Sequence, residues 1–347
     1  MRYLFLILFT VSLNAQILPS QQATHYKKNP AASEPRTFNN CGKTGYEGPS
    51  QSDCNTAYVS SDLSGEVTVT SGIQYWTVPA TATYTITVYG AQGGRISGGL
   101  HTKGAKMKGD FNLTAGTVLK ILVGQAGVWG PDNGNIGCGG PGGSNDAGSG
   151  GGGTFLTKQD NTPLIVAGGG GGYNKTDNSV STNAVVTLNG VTMPHNNGLT
   201  QYAGAGGING GGGGGATGGS AGTQAANGGN GVSCAYGPGG GGFYTNGGEN
   251  CNGTYVNTAG LSFLNGGRGG LGDLRGCMVT HGGFGGGASA GHRSGGGGGW
   301  SGGGGGASGV VSGTLGGGGG GGSYNSGSNQ NNEAASREGH GQVEISW

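Results

Sequence analysis

The stretch Pro163-Leu-Ile-Val-Ala-Gly-Gly-Gly-Gly-Gly-Tyr173 joins an apolar, strand-like run to five glycines that stop at an aromatic residue. Similar glycine blocks return later in the chain, at Gly210–Gly215, Gly239–Gly242, Gly295–Gly299, Gly302–Gly306 and Gly316–Gly322. Glycine makes up 92 of the 347 residues, whereas its usual share is roughly 7%. Whether these blocks are flexible tethers or ordered elements therefore decides the fold.

Flexible tethers are the first interpretation, because glycine loses more backbone entropy on ordering than any other residue. Collagen is excluded, since the glycines come in blocks and proline numbers only 10. Similar block sizes and four cysteines in the surrounding region favour order instead. So do the aromatic residues at or next to block ends, which are Tyr173, Phe243, Trp300 and Tyr324.

Extended left-handed helices with three residues per turn would order such blocks. Glycine keeps the backbone N–H that proline lacks, and it has no Cβ to hold neighbouring chains apart. Several of these helices can therefore pack side by side and form lateral backbone hydrogen bonds. The sequence predicts a bundle of polyglycine-II helices over about residues 130–340.

Short segments with period-two alternation predict strands around that bundle. One of them carries Met107, Phe111 and Leu113 on one face and Asn112 on the other. The remaining segments are Glu66–Thr70, Ile73–Val78, Tyr84–Tyr89, Val118–Val123, Thr154–Lys158, Leu164–Ala167 and Gln342–Trp347. With no convincing helix, the predicted fold class is all-β, an antiparallel jelly-roll sandwich with the glycine bundle inserted.

The N-terminal residues read as a secretory signal peptide, with Arg2 followed by an apolar core that is too short to span a membrane. The mature chain is therefore expected to be secreted and extracellular, without membrane insertion. The predicted parts are a signal peptide (1–15), a flexible leader (16–40), a short disulfide-linked segment (41–63) and a glycine-rich module (64–347) whose sandwich strands lie at about 64–129, 154–167 and 342–347.

No catalytic, cofactor or metal site is predicted. Residues 218–222 and 299–303 match the G-x-S-x-G pattern, but chance explains this in so glycine-rich a chain, and neither follows a strand and opens a helix. The histidines, His281 and His292 among them, lack carboxylates at metal-ligand spacing and are expected in exposed loops. The net charge of +1 provides no electrostatic case for nucleic acid.

Several segments together resemble a known family. Ala82–Gly94 (ATYTITVYGAQGG), Leu119–Gln125 (LKILVGQ), Pro163–Gly172 (PLIVAGGGGG) and Gly282–Gly287 (GGFGGG) resemble the glycine-rich extracellular domain of the anaplastic lymphoma kinase and leukocyte tyrosine kinase receptors. The resemblance runs from about Gly65 to the C-terminus. It implies a tumour-necrosis-factor-like sandwich with an inserted glycine-helix bundle, in a unit that binds small protein cytokines.

The resemblance does not extend to a kinase. Residues 292–294 (HRS) lack the aspartate of a kinase catalytic loop, and residues 110–112 (DFN) are not a D-F-G motif. The leading hypothesis is thus a non-enzymatic secreted module that recognises an extracellular protein through unknown contact residues. The alternative is a structural or adhesive extracellular glycine-rich protein.

Candidate residues of other kinds follow from the secreted context. Asn112, Asn174 and Asn252 each begin an N-x-T glycosylation motif. Some aromatic residues could anchor an interface, although core packing is favoured for them: Trp129, Tyr236, Phe243, Tyr244 and Trp300. The even number of cysteines indicates disulfides, and Cys41 and Cys54 are the pair that lies close in sequence. The other four are Cys138, Cys234, Cys251 and Cys277.

We expect all six cysteines to be paired in the secreted protein, because a glycine bundle has few large side chains to stabilise it. Each bridge should contribute about 2–5 kcal/mol. Mass spectrometry of the unreduced, alkylated protein measures this directly. Free thiols at Cys138 or Cys277 in the folded protein would contradict the prediction.

Overall fold

Two antiparallel β-sheets form the framework of the protein. The structure is a computed structural model in which Glu34–Trp347 forms one compact unit. It describes residues 35–95, 101–128, 147–173, 182–193, 204–215, 237–249, 258–272, 280–290, 293–306 and 317–347.

One sheet has five strands and the other has six. In spatial order, the five-stranded sheet contains β1 (Arg36–Phe38), β11 (Gln342–Ser346), β4 (Ala82–Tyr89), β5 (Gly104–Leu113) and β10 (Glu333–Arg337). The six-stranded sheet contains β2 (Val67–Thr70), β3 (Ile73–Thr77), β6 (Val118–Leu122), β7 (Thr154–Lys158), β8 (Pro163–Ala167) and β9 (Tyr324–Asn325). A helix, α1 (Gln51–Ala57), and a 3₁₀ turn (Phe263–Asn265) add short helical pieces. The predicted all-β class is confirmed.

The two sheets share one apolar core. Ile86 of β4 and Met107 of β5 belong to the same cluster of buried side chains as Trp76 of β3. Along β5 the predicted alternation is confirmed, because Met107 and Phe111 are buried whereas Asn112 is exposed. The period-two pattern therefore marks which face of each strand meets the other sheet.

The last strand lies inside the five-stranded sheet, between β1 and β4. Val343 pairs with Val88 and Ile345 with Ile86, and all four side chains are fully buried. The structure thus confirms that the predicted strand at Gln342–Trp347 pairs with a strand from the N-terminal part of the chain.

Two elements, β1 and α1, are not among the elements predicted from the sequence. β1 falls within the predicted flexible leader, and its Phe38 packs edge-on against Trp76 with ring centroids 5.9 Å apart. α1 begins after Ser50, whose hydroxyl accepts from the Asp53 N–H while the Asp53 carboxylate accepts from the Ser50 N–H. This capping box is visible in the sequence as S-x-x-D.

The disulfide predicted from sequence proximity, Cys41–Cys54, is confirmed. It ties the chain after β1 to α1. From that helix, the Gln51 amide closes the outer edge of β2, since it donates to the Val67 carbonyl at 3.0 Å and accepts from the Val69 N–H at 2.7 Å. An edge satisfied in this way no longer offers these groups to a further strand.

The segment Gly295–Trp300 is buried and sends its backbone N–H groups in three directions. Donors three residues apart bond to the same neighbouring segment. The N–H groups of residues 295 and 298 donate to the carbonyls of residues 148 and 151. Those of residues 296 and 299 donate to residues 238 and 241, and those of residues 297 and 300 donate to residues 319 and 322. A β-strand would instead alternate between two neighbours. The N–H groups of this block therefore bond to three neighbouring segments, in a pattern that repeats every three residues.

The glycine block after β8 shows the same repeat. Residues 169 and 172 donate to residues 298 and 295, and residues 170 and 173 donate to residues 91 and 94. All residues from Gly168 to Tyr173 are buried. The block is thus an ordered interior element, and the tether interpretation is wrong for it.

Neighbouring backbones lie too close together for side chains to be added. A Cβ on Gly170 would stand 2.8 Å from the Thr102 Oγ1 and 2.9 Å from the Gly93 nitrogen, and one on Gly318 would overlap the Gly295 carbonyl oxygen. Gly214 differs, because its nearest neighbour would be the Ala205 nitrogen at an ordinary 3.4 Å.

We expect Gly170→Ala and Gly318→Ala to lower the free energy of unfolding by about 1–3 kcal/mol or more, as overpacking a core does. Gly214→Ala is the matched control, and it should be neutral or stabilise by about 0.4–1 kcal/mol. Urea unfolding of the three variants compares them directly. Equal midpoints for all three would show that close backbone packing does not hold these blocks together.

Candidate recognition surface

Aromatic residues from the glycine-rich segments converge on the outer face of the six-stranded sheet. Phe243 stacks on Phe263, and Phe263 stacks on Phe155 of β7, with ring centroids 5.1 Å apart in both pairs. Trp300 stacks on Tyr324 of β9 at 4.4 Å. The sheet is thereby apolar on both faces, since its inner face belongs to the core between the sheets.

Two large apolar side chains stay exposed at the edge of this cluster. Tyr244 is 48% exposed and packs edge-on against Phe243 and Trp300, with ring centroids at 4.9 and 5.6 Å. Leu264 is 45% exposed and is the middle residue of the 3₁₀ turn, and its N–H donates to the Phe243 carbonyl at 3.2 Å. We call Tyr244 and Leu264 the apolar rim.

Lys120 of β6 lies on the same face of the sheet. Its Nζ stands 5.6 Å from the centre of the Phe263 ring and 6.0 Å from that of Tyr75, and it donates to the Asn161 Oδ1 at 2.6 Å. Burial lowers the pKa of Lys120. The aromatic faces offset part of that effect by attracting the ammonium group.

An open groove of about 760 Å³ lies beside the 3₁₀ turn. Phe284 belongs to the aromatic cluster and also lines this groove, so the groove and the apolar rim adjoin the same cluster. The other walls come from residues 43–50, the turn between β2 and β3, and residues 261–268. A cavity of this size suits a few side chains of a ligand.

The wall formed by residues 43–50 is fixed before any ligand arrives. The Cys41–Cys54 disulfide brackets it. Three hydrogen bonds hold its backbone carbonyls, from the Phe284 N–H to Gly45 at 2.8 Å, from the Gly269 N–H to Tyr46 at 2.9 Å and from the Gln125 Nε2 to Glu47 at 2.9 Å. Gly48 and Gly72 also meet here, because a Cβ on Gly48 would collide with the Gly72 Cα and the Phe284 ring.

Lys43, Glu47 and Arg268 are the charged residues that line the groove. The Arg268 Nε is buried and has no hydrogen-bond partner in the described part of the chain. Neither cation forms a salt bridge with a described residue. The groove therefore holds two cationic side chains that form no ion pair with a described residue.

Glycosylation stays a prediction, and of the six cysteines the structure describes only the bonded pair Cys41 and Cys54. Asn112 is exposed on β5, where its Oδ1 accepts from the Thr83 hydroxyl at 2.8 Å. The other residues of these two kinds lie outside the described residues and stay predictions, namely Asn174, Asn252, Cys138, Cys234, Cys251 and Cys277.

Of the aromatic residues considered as interface anchors, Phe243 and Trp300 pack in the cluster and Tyr244 is half exposed. Trp129 and Tyr236 lie outside the described residues. No sequence pattern pointed to the groove residues, since Arg268 stands alone between glycines. The aromatic ends of the glycine blocks were the one available signal for this face.

Ser301, the serine of one G-x-S-x-G match, is fully buried, and its hydroxyl accepts from the Gly210 N–H at 3.1 Å. It therefore has a structural position. Within the described ranges, no group of three or more histidine, cysteine, aspartate or glutamate side chains could hold a metal ion. No helix in those ranges is long and apolar enough to cross a membrane.

The expectation of exposed histidines is wrong at the three described positions, because His101, His281 and His340 are all half buried. His281 and His340 are half buried, and their Nδ1 atoms accept from the Gly272 and Ala126 N–H groups at 2.9 and 3.0 Å. Burial lowers the pKa of both rings, and the charge of Arg337 lowers that of His340 further. These two histidines therefore bind the backbone in their neutral form; His292 lies outside the described residues.

No protein-family model matches the chain. Over 98 residues, it is 38% identical to the leukocyte tyrosine kinase receptor of Mus musculus. That match covers 27% of this chain and 11% of the receptor. The chain is thus similar to a small part of the receptor, and the match does not carry the receptor's kinase activity to it.

We expect stability to fall as the pH drops from about 7.5 to about 5. The unfolded-state pKa of histidine is about 6.5, and the folded pKa of His340 is lower, so the unfolded state takes up protons first. His340→Asn keeps an acceptor for the Ala126 N–H but does not titrate. Thermal melts across this pH range should show a smaller loss for the variant, whereas identical losses would exclude His340 as a contributor.

Proposed function

We propose that this chain is a secreted recognition module that binds an extracellular protein through the apolar rim. The observation that carries the proposal is the exposure of Tyr244 and Leu264, at 48% and 45%, on a support of stacked aromatic rings. Exposed large apolar side chains on a rigid support are typical of protein interfaces. The proposal assigns the chain no catalysis, cofactor or metal.

The similarity to the leukocyte tyrosine kinase receptor supports a receptor-like extracellular module. The Cys41–Cys54 disulfide supports an oxidising, extracellular location. Together with the predicted signal peptide at residues 1–15, these observations fit a secreted protein. In that setting we propose that the remaining four cysteines are paired and that Asn112, exposed on β5, accepts a glycan.

For the fold, we propose a tumour-necrosis-factor-like jelly roll with an inserted bundle of polyglycine-II helices over about residues 130–340 of the module at 64–347. The three-residue repeat of hydrogen bonds in Gly295–Trp300 and Gly168–Tyr173 supports these helices, because polyglycine II has three residues per turn. The two antiparallel sheets closed by β11 support the sandwich.

A structural or adhesive role is the second candidate. The glycine blocks favour it, since backbone bonds to three neighbours at once would make a stiff spacer. Self-association through the apolar rim distinguishes it from recognition of another protein.

We expect the double variant Tyr244→Ser, Leu264→Ser to lose the partner while the fold is kept. Both side chains are exposed, so their loss should leave the melting temperature nearly unchanged but weaken binding about 10- to 100-fold. The assay is capture of extracellular proteins on the purified secreted chain, followed by affinity measurement. Val59→Ser is the matched control, because Val59 is 68% exposed and lies outside the aromatic cluster.

Equal capture by the double variant and by the wild-type chain would overturn the role of the apolar rim. Sedimentation velocity of both proteins tests the second candidate. Concentration-dependent assembly that the double variant abolishes would favour a structural role, whereas a monomer in both cases favours recognition.

A further inference from the structure

We infer that the groove beside the 3₁₀ turn takes an acidic segment of the protein partner, with a carboxylate at Arg268 and an apolar side chain against Phe284. This inference rests on the proposed function and names the partner chemistry next to the apolar rim. It is carried by the charge, the lining and the rigidity of the groove.

Charge complementarity is the first step. Arg268 and Lys43 form no salt bridge with a described residue, and the buried Arg268 Nε has no hydrogen-bond partner there. A guanidinium group binds a carboxylate with two parallel hydrogen bonds, which fixes the ligand geometry as well as its charge. Because the Arg268 Nε is buried, a ligand carboxylate would meet this guanidinium group at its two Nη atoms, which bond to no described residue.

The groove lining favours a peptide over a sulfated glycan. Two cations share the groove with Glu47, so its net charge is small, whereas strongly anionic polymers are bound by dense basic patches. Val69, Leu261 and Phe284 add apolar residues to the lining, beside glycine, serine, proline and asparagine residues. A peptide that carries one carboxylate beside one apolar side chain would match this combination of cationic and apolar lining residues.

The position of the groove favours a segment of the same partner that contacts the apolar rim. Leu264 of the rim and Asn265 of the groove are consecutive residues of one 3₁₀ turn, with Phe263 between the stacked rings. A single partner can therefore place apolar side chains on the rim and an adjoining acidic segment in the groove. The Cys41–Cys54 disulfide keeps the opposite wall in place, which lowers the ordering cost of binding.

The test is selection of random 12-residue peptides, displayed on phage, against the purified secreted chain. Selected peptides should carry aspartate or glutamate beside an apolar residue. Fluorescence polarisation with a synthesised, labelled peptide then measures affinity. Arg268→Gln should weaken it about tenfold or more, as loss of a charged hydrogen bond does, and Glu47→Gln should strengthen it.

Lys43→Gln is a second variant in case Arg268→Gln fails to fold, and it should also weaken the peptide. Lys158→Gln is the control, since Lys158 is exposed on β7 and does not line the groove. Three outcomes would overturn the inference: neutral or basic selected peptides, no change in Arg268→Gln and Lys43→Gln, or an Arg268-dependent affinity for a heparin hexasaccharide that the peptides lack.

Failure of the groove and failure of the recognition role give different results. If groove variants still bind the captured partner while the Tyr244→Ser, Leu264→Ser variant does not, the acidic segment is wrong and the recognition role stands. If peptides bind in the predicted way but the wild-type chain captures no extracellular protein, the groove is confirmed as a site for acidic peptides and the recognition role is wrong.

Discussion

The close approach of backbone to backbone in the glycine-rich segments is the constraint on which the rest of the structure depends. An ordinary core is filled by side chains, but here a Cβ on Gly170 would already stand within 3 Å of neighbouring atoms. The segments are held by N–H to carbonyl bonds that repeat every three residues, as along Gly295–Trp300. These bonds satisfy the buried backbone groups and offset the large ordering entropy of glycine.

Such a core has little to pack against a β-sheet, and the aromatic residues at the ends of its segments supply that contact. Phe243 and Trp300 follow glycine blocks and reach the outer face of the six-stranded sheet, where Phe155 and Tyr324 meet them. The backbone hydrogen bonds fix the position of each glycine block, and the aromatic residue that follows a block is positioned with it. Exposure of Tyr244 beside Phe243 is therefore a consequence of the same arrangement.

Sequence alone predicted the elements whose own pattern determines them. β7 has the predicted bounds, and β5 shows the predicted faces, because burial on one side enforces alternation. β10 was not predicted, because Glu333–Arg337 is a mostly exposed edge strand without an alternating apolar pattern. Its conformation comes from pairing with β5 and from the ion pair of Lys106 with Glu333. The groove was not predicted either, because its lining comes from four separate parts of the chain and Arg268 is placed by the chain around it.

A core made of backbone separates stability from surface chemistry. Its hydrogen bonds belong to the main chain, so they require glycine inside the blocks but impose little on the residues between them. The turn that carries Leu264 and the wall that carries Lys43 can then change their side chains while the blocks keep them in position. A rigid support with a variable surface lowers the ordering cost of binding. That physical advantage explains how a chain with so few large side chains can still hold a defined surface.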